Sequence, residues 1–133
     1  MKEKDQLVAG AGGAAEGMYV TTIGRDIAEV PAASEFIKKF EGKYGAMSVF
    51  SGQSYEATKI LIEALRTATG DNPADLTRAK ALSAVGNIRD YKGIMGFPVS
   101  FDAKGDVVGA SIYVYKVEND DFKEVTEYPA EVR

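Results

Sequence analysis

A chain of 133 residues with 45% hydrophobic and 27% charged residues has the size and balance of one globular domain, so neither a disordered segment nor a membrane-embedded bundle is expected. Twenty acidic against sixteen basic residues leave a formal charge of −4, the wrong sign for neutralising phosphates, which argues against a nucleic-acid partner. Cysteine and histidine are both absent, which removes disulfides, thiolate chemistry, the usual zinc ligands, the commonest general base and every Ser-His or Cys-His dyad.

The opening MKEKDQ is charged and runs into a Gly/Ala stretch, so it does not read as a secretory signal, and no apolar run approaches the span of a bilayer. A single soluble domain over 1–133 is expected, with loosely ordered ends at 1–6 and 126–133. It is either cytoplasmic or separated from an exporting segment. Residues 7–17, LVAGAGGAAEG, read as a short extended piece and a flexible loop, because their glycines do not favour a helix. Met18 to Thr22, with β-branched and aromatic side chains, reads as a strand.

Pro31 suits the first turn of a helix, and Ala33, Phe36, Ile37, Phe40 and Tyr44 then recur at three- and four-residue spacing up to a left-handed cap at Gly45. A second helix is expected over 54–69, closed by Gly70. Its Tyr55, Ala57, Leu61, Ile62, Ala64, Leu65 and Ala68 leave so little polar surface that it should be the central, most buried helix. Asn72 and Pro73 open a third, peripheral helix whose apolar edge is Leu76, Ala79, Leu82 and Val85, ended by Gly86-Asn87. Strands follow near 96–101, 107–117 and 122–125. The first two are read as a hairpin around the turn at 102–106, and the last two are joined by the acidic turn 118–121. The order is one early strand, three helices and a late antiparallel strand meander: an α/β mixture without the alternation of a complete doubly wound sheet.

Gly10, Gly12 and Ala15 satisfy G-x-G-x-x-A, and Glu35 follows at about the spacing that a dinucleotide fingerprint uses. The fingerprint needs a helix N-terminus behind the glycines, whereas a strand is expected within three residues, so a plain loop is preferred and no cofactor is expected. Asp102, Gly105 and Asp106 lack the alternating ligands and distant glutamate of a calcium loop and read as a hairpin turn; no metal is expected. The carboxylates Asp120, Asp121, Glu124 and Glu127 read as a solvated surface. No carboxylate pair stands out for acid/base work, and Ser48, Ser51 and Ser54 match no nucleophile elbow. Catalysis is therefore not expected. The segment 49–55, VFSGQSY, places a ring, hydroxyls and an amide at a helix start, as small-ligand sites do. Caps at Ser51 or Ser54 and a packed Phe50 explain the same residues without a ligand.

Three segments taken in order, AAEGMYVTT at 14–22, YGAMSVFSGQSYEATKILIEAL at 44–65 and YKGIMGFPVSFDAKGDVVGASIYVYKV at 91–117, resemble the closing third of the branched-chain amino-acid-binding proteins of ABC transporters. The resemblance runs over most of residues 7–125. It implies part of a type I periplasmic-binding-protein-like fold, two α/β lobes around a cleft, with the chain running from the second crossover between lobes to the end. Residues just before the second helix then line the cleft, which implicates Phe50, Gly52, Gln53 and Tyr55, with Thr21 and Thr22 near the crossover. The family's clamp on the ligand's amino and carboxylate groups lies in sequence that this chain does not contain.

By this resemblance the expected role is an extracytoplasmic solute-binding component, or a fragment of one, that delivers an amino acid or related small polar metabolite to an ABC permease from the periplasm or the cell exterior. The same two-lobed fold also serves ligand-sensing receptors, and a structural or oligomerising fragment without ligand is the remaining alternative. A lobe divided in this way leaves sheet edges and apolar helix faces uncovered, so a homo-oligomer, or completion by another chain, is expected.

Overall fold

The computed structural model of the chain describes residues 4–70 and 72–130, and the chain falls into two compact units, Met1–Asp26 with Gly109–Arg133 and Ile27–Val108. The first unit is a three-stranded antiparallel sheet in the order β1 (Tyr19–Thr22), β4 (Ser111–Glu118), β5 (Asp121–Pro129), with helix α1 (Lys4–Ala11) contacting β5. Tyr19 pairs with Lys116 and Thr22 with Tyr113, while the β4–β5 register runs from Ser111 opposite Pro129 to Glu118 opposite Asp121, with one irregularity between Val114 and Tyr115. The period of two along β4 turns Tyr115 and Val117 inward, where they join Val8, Ala15 and Phe122 in a closed cluster. The reversal between β4 and β5 places Asn119 and Asp120 at φ of +54° and +57°, the left-handed pair that a two-residue hairpin needs and that Asn and Asp tolerate.

Two expectations change in this unit. Residues 4–11 are helical, where a loose end up to residue 6 and an extended piece from residue 7 were expected, because Val8 gains burial against Tyr115, Val117 and Phe122, and that packing outweighs the poor helix propensity of Gly10. Residues 126–129, assigned above to a loose end, continue β5 because their partners on β4 are hydrogen-bonded. The outermost residues of both ends, 1–3 and 131–133, lie outside the described residues.

In the second unit a 3-10 turn at Pro31–Ala33 leads into α2 (Ser34–Tyr44), closed by Gly45 at φ +82°, and α3 (Ser51–Thr69) is closed by Gly70 at φ +54°. Ile27, Val30, Ala33 and Met95 form one buried cluster, with Phe36, Ile37, Met47 and Ile94 packed around it, and Ile60, Ala64 and Val99 are buried as well. The helix expected from Asn72 is divided. Asn72 caps a single 3-10 turn, Pro73–Asp75, through a hydrogen bond from the Ala74 N–H, and the chain is extended at Leu76 and Thr77 before α4 (Arg78–Gly86) starts under a bond from the Lys80 N–H to Thr77 Oγ1. The break follows from a second, independent N-cap at Thr77. The apolar edge expected for this helix is not its packed face, for Leu82 is 74% exposed.

The hairpin expected over 91–117 also divides. The turn is real: Asp102 Oδ1 accepts from the Lys104 and Asp106 N–H groups at 2.8 and 2.9 Å, and these bonds hold its carboxyl below the usual range. Beyond a single bridge of Phe101 with Val107, however, the flanking segments pair elsewhere, β3 (Pro98–Val99) with β2 (Tyr91–Lys92) and β4 with β1 and β5. Gly109, at φ +73°, redirects the chain between them. Last, α3 does not have the all-round burial expected of it. Only Gly52, Glu56, Ile60 and Ala64 are buried, while Leu61 and Ile62 are 46% and 48% exposed.

Candidate functional site

The loop entering α3 is held by two serines that bond reciprocally. The Ser48 N–H donates to Ser51 Oγ at 3.0 Å, the Ser51 N–H donates to the Ser48 carbonyl at 3.1 Å, and the two hydroxyls lie 3.3 Å apart. This fixes Phe50 immediately before the helix, a residue that is 54% exposed. Along α2 the i, i+4 spacing stacks Phe36, Phe40 and Tyr44 at centroid separations of 5.7 and 5.2 Å, and Tyr55 from α3 lies over Phe36 at 4.4 Å. Between the two helices these rings line an open groove of about 690 Å³ that also takes in Phe50, Lys39, Lys43 and the hydroxyls of Ser48, Ser51, Ser54 and Thr58.

Charge in the groove is mostly neutralised locally. Lys39 is 2.6 Å from Glu35, which holds the Glu35 carboxyl down and the Lys39 ammonium up, and Lys43 lies 5.1 Å from the centre of the Tyr44 ring. The arrangement offers apolar walls, one ammonium, Lys43, that meets no carboxylate among the described residues, and hydroxyls at the mouth. That is the equipment for holding a small molecule with an apolar portion and a polar end. Ser54 and Thr58 do not constitute a nucleophile and its base: the Thr58 hydroxyl donates to the Ser54 carbonyl at 2.8 Å. Among the described residues no three carboxylates gather where a metal ion could be held. A larger groove of about 750 Å³ between α3 and α4 contains none of the six site residues named from sequence.

Of the six site residues named from sequence, the structure brings Phe50 and Tyr55 into one groove. Gly52 and Gln53 do not line it. Gly52 is buried against Ile27, where an added Cβ would stand 2.0 Å from Ile27 Cδ1, and Gln53 Oε1 is buried without a hydrogen-bond partner among the described residues. Thr21 and Thr22 belong to the other unit, on β1, opposite Val114 and Tyr113.

One residue next to the site was not visible in the sequence. Glu56, 4% exposed, turns its Oε2 toward residues 94–95, accepting from the Met95 N–H at 3.1 Å and from the Ile94 N–H. Burial pushes its carboxyl above the usual range, and the two N–H bonds oppose that push. Gly93 has to be glycine for this approach, since a Cβ there would meet Glu56 Oε2 at 2.0 Å. In sequence Glu56 is one more charged residue between apolar ones. Its partners lie nearly forty residues away, so no local pattern reveals it.

The family described as periplasmic binding protein matches residues 3–122. Solved structures similar to the chain include the leucine-binding protein LivK of Thermotoga maritima, 23% identical with a TM-score of 0.73, covering 94% of this chain and 34% of that one. A solute-binding protein of an ABC transporter from R. palustris, in complex with benzoate, is 21% identical with a TM-score of 0.70, covering 96% of this chain and 34% of that one. An ABC transporter substrate-binding protein from Desulfitobacterium hafniense, in complex with Leu, is 23% identical with a TM-score of 0.64, covering 84% and 32%. The chain thus spans about a third of the length of these structures. No curated protein sequence matches it.

Proposed function

The chain belongs to the periplasmic binding protein family, and from that membership we propose that it works as part of an extracytoplasmic solute-binding component of an ABC transporter, which holds an amino acid or related small polar metabolite without turnover and passes it to a permease. The family match over residues 3–122 carries this reading. The groove at the start of α3 supports it by supplying apolar walls beside polar groups, and the relatives solved with Leu and with benzoate are both bound to small carboxylates. In this reading Phe50 and Tyr55 contact the apolar part of the solute. An association state above the monomer, or completion by another chain, belongs to the same reading.

Titration calorimetry of the protein carrying this chain, with a panel of amino acids and with benzoate, tests the reading. Saturable heat with at least one amino acid is expected, weakened at least about tenfold by Phe50→Ala through loss of an aromatic wall. An absence of heat with every member of the panel contradicts it.

A further inference from the structure

On the inner side of α3, Gln53 and Glu56 each carry an oxygen that is buried and has no hydrogen-bond partner among the described residues, Gln53 Oε1 and Glu56 Oε1. Their i, i+3 spacing puts them on one face of the helix. While Glu56 is ionised both atoms are acceptors, so neither can satisfy the other, and a buried acceptor left bare is costly. The other carboxyl oxygen is already committed, since Glu56 Oε2 accepts from the Ile94 and Met95 N–H groups. The surroundings supply no counter-ion either. Glu56 is 4% exposed, and no ion pair among the described residues involves it. The titratable groups around it are Tyr91, whose hydroxyl is pushed up by burial and then by Glu56, Glu63 and Tyr55, and the ammonium groups of Lys59 and Lys92, both exposed residues.

One proton removes both defects. From this geometry we infer that Glu56 is held as the neutral acid in the folded protein, at pH values where exposed glutamates are ionised, and that its Oε1–H donates to Gln53 Oε1. The carboxyl then works at both ends. Oε2 accepts from residues 94–95, Oε1–H ties down the first turn of α3 directly behind Phe50, and no charge is buried without a partner. The upward push of burial on this carboxyl acts in the same direction. The clamp depends on the proton: when Glu56 ionises, Gln53 loses its donor and an uncompensated charge stays inside, so the tie between the start of α3 and residues 94–95 weakens as the pH rises. Two other arrangements fill the same valences while keeping Glu56 ionised. The Gln53 amide could be turned over to donate an N–H to the carboxylate, or a water could donate to both oxygens. The inference concerns the frame behind the groove and is independent of which solute is bound.

The test follows the side-chain carboxyl and amide carbon signals of the full protein carrying this chain by carbon-13 magnetic resonance through a pH titration, with Glu56→Gln identifying the Glu56 signal by its loss. Where the exposed glutamates have reached their ionised positions, the Glu56 signal is expected still at the neutral-acid position, and the Gln53 amide signal should move with it when it does titrate. Gln53→Met, of similar length, removes the acceptor of the neutral form, so proton binding at Glu56 should weaken about three- to tenfold, the worth of one hydrogen bond. A Glu56 signal that ionises together with the exposed glutamates overturns the inference. So does a Gln53→Met variant that leaves proton binding at Glu56 unchanged or strengthens it, which is the outcome that a turned-over amide or a bridging water requires.

Discussion

The unit built on β1, β4 and β5 and the unit built on α2, α3 and α4 come from the same chain but end at different degrees of closure. In the first, the sheet turns Tyr115 and Val117 onto Val8, Ala15 and Phe122, and Tyr115 is fully buried. Its hydroxyl still finds partners, accepting from the Asp26 N–H and donating to Glu124 Oε2, each at 3.3 Å, and Arg25 adds an ion pair to Glu124 at 3.3 Å. In the second, α2 and α3 accompany only the two-residue strand pair β2–β3, and the buried apolar side chains are scattered over the 27–33 turns, Ile60 and Ala64 of α3, Met95 and Val99. What separates them is the layer available for an apolar face to cover: three hydrogen-bonded strands in the first unit, two strands of two residues each in the second.

That contrast is broken first by a cavity. Tyr115→Ala removes the largest side chain of the closed core and should lower unfolding stability by about 3–5 kcal/mol, read as a shift of the urea midpoint followed by circular dichroism. A loss below about 1 kcal/mol would mean that the first unit is not closed in the sense described.

Glu56 ties residues 94–95 to α3, and its replacement by alanine leaves the Ile94 and Met95 N–H groups without their acceptor, at a cost of about 1–3 kcal/mol. Its carboxyl is held above the usual range by burial, so the folded state takes up the proton more readily than the unfolded one. The contribution is therefore full at pH values below the ordinary carboxylate range and is lost as pH rises through the raised folded value. In Glu56→Gln this part of the pH dependence should vanish, so the stability difference between variant and parent changes with pH across that window. A difference that stays flat from the acid side to neutrality contradicts the assignment.

The smallest effect is expected where the second unit is open. Leu61→Ser should change the stability of the chain by no more than about 0.5 kcal/mol, the usual range for surface sites, although leucine to serine in a core is among the costlier changes. A loss of several kcal/mol would show that the face is covered within the chain itself.

Much of this was legible before the structure. Gly45 and Gly70 mark the ends of α2 and α3, the Asn119-Asp120 reversal marks the β4–β5 hairpin, and the ordered segments identify the family. These signals are local: a cap, a turn or a periodic stripe. Features set by distant partners stayed hidden. Helix α1 exists because Val8 packs on β4 and β5, strand β4 chooses β1 over the segment before the 102–106 turn, and Glu56 finds its acceptor role at residues 94–95. The candidate site divides in the same way. Phe50 and Tyr55 are consecutive enough around the start of α3 to be read together, whereas Phe36 and Phe40 join them only through the packing of α2 on α3. The burial expected for α3 followed from its composition, but composition does not say which of its apolar residues meet a partner, and Leu61 and Ile62 do not.

The most direct measurement is native-state hydrogen exchange on the isolated chain, resolved to β4 and to α3. The β4 amides of residues 113–117 should be protected close to the level of global unfolding, with the 57–65 amides of α3 exchanging at least about tenfold faster through local opening. Equal protection of the two segments would contradict an open second unit.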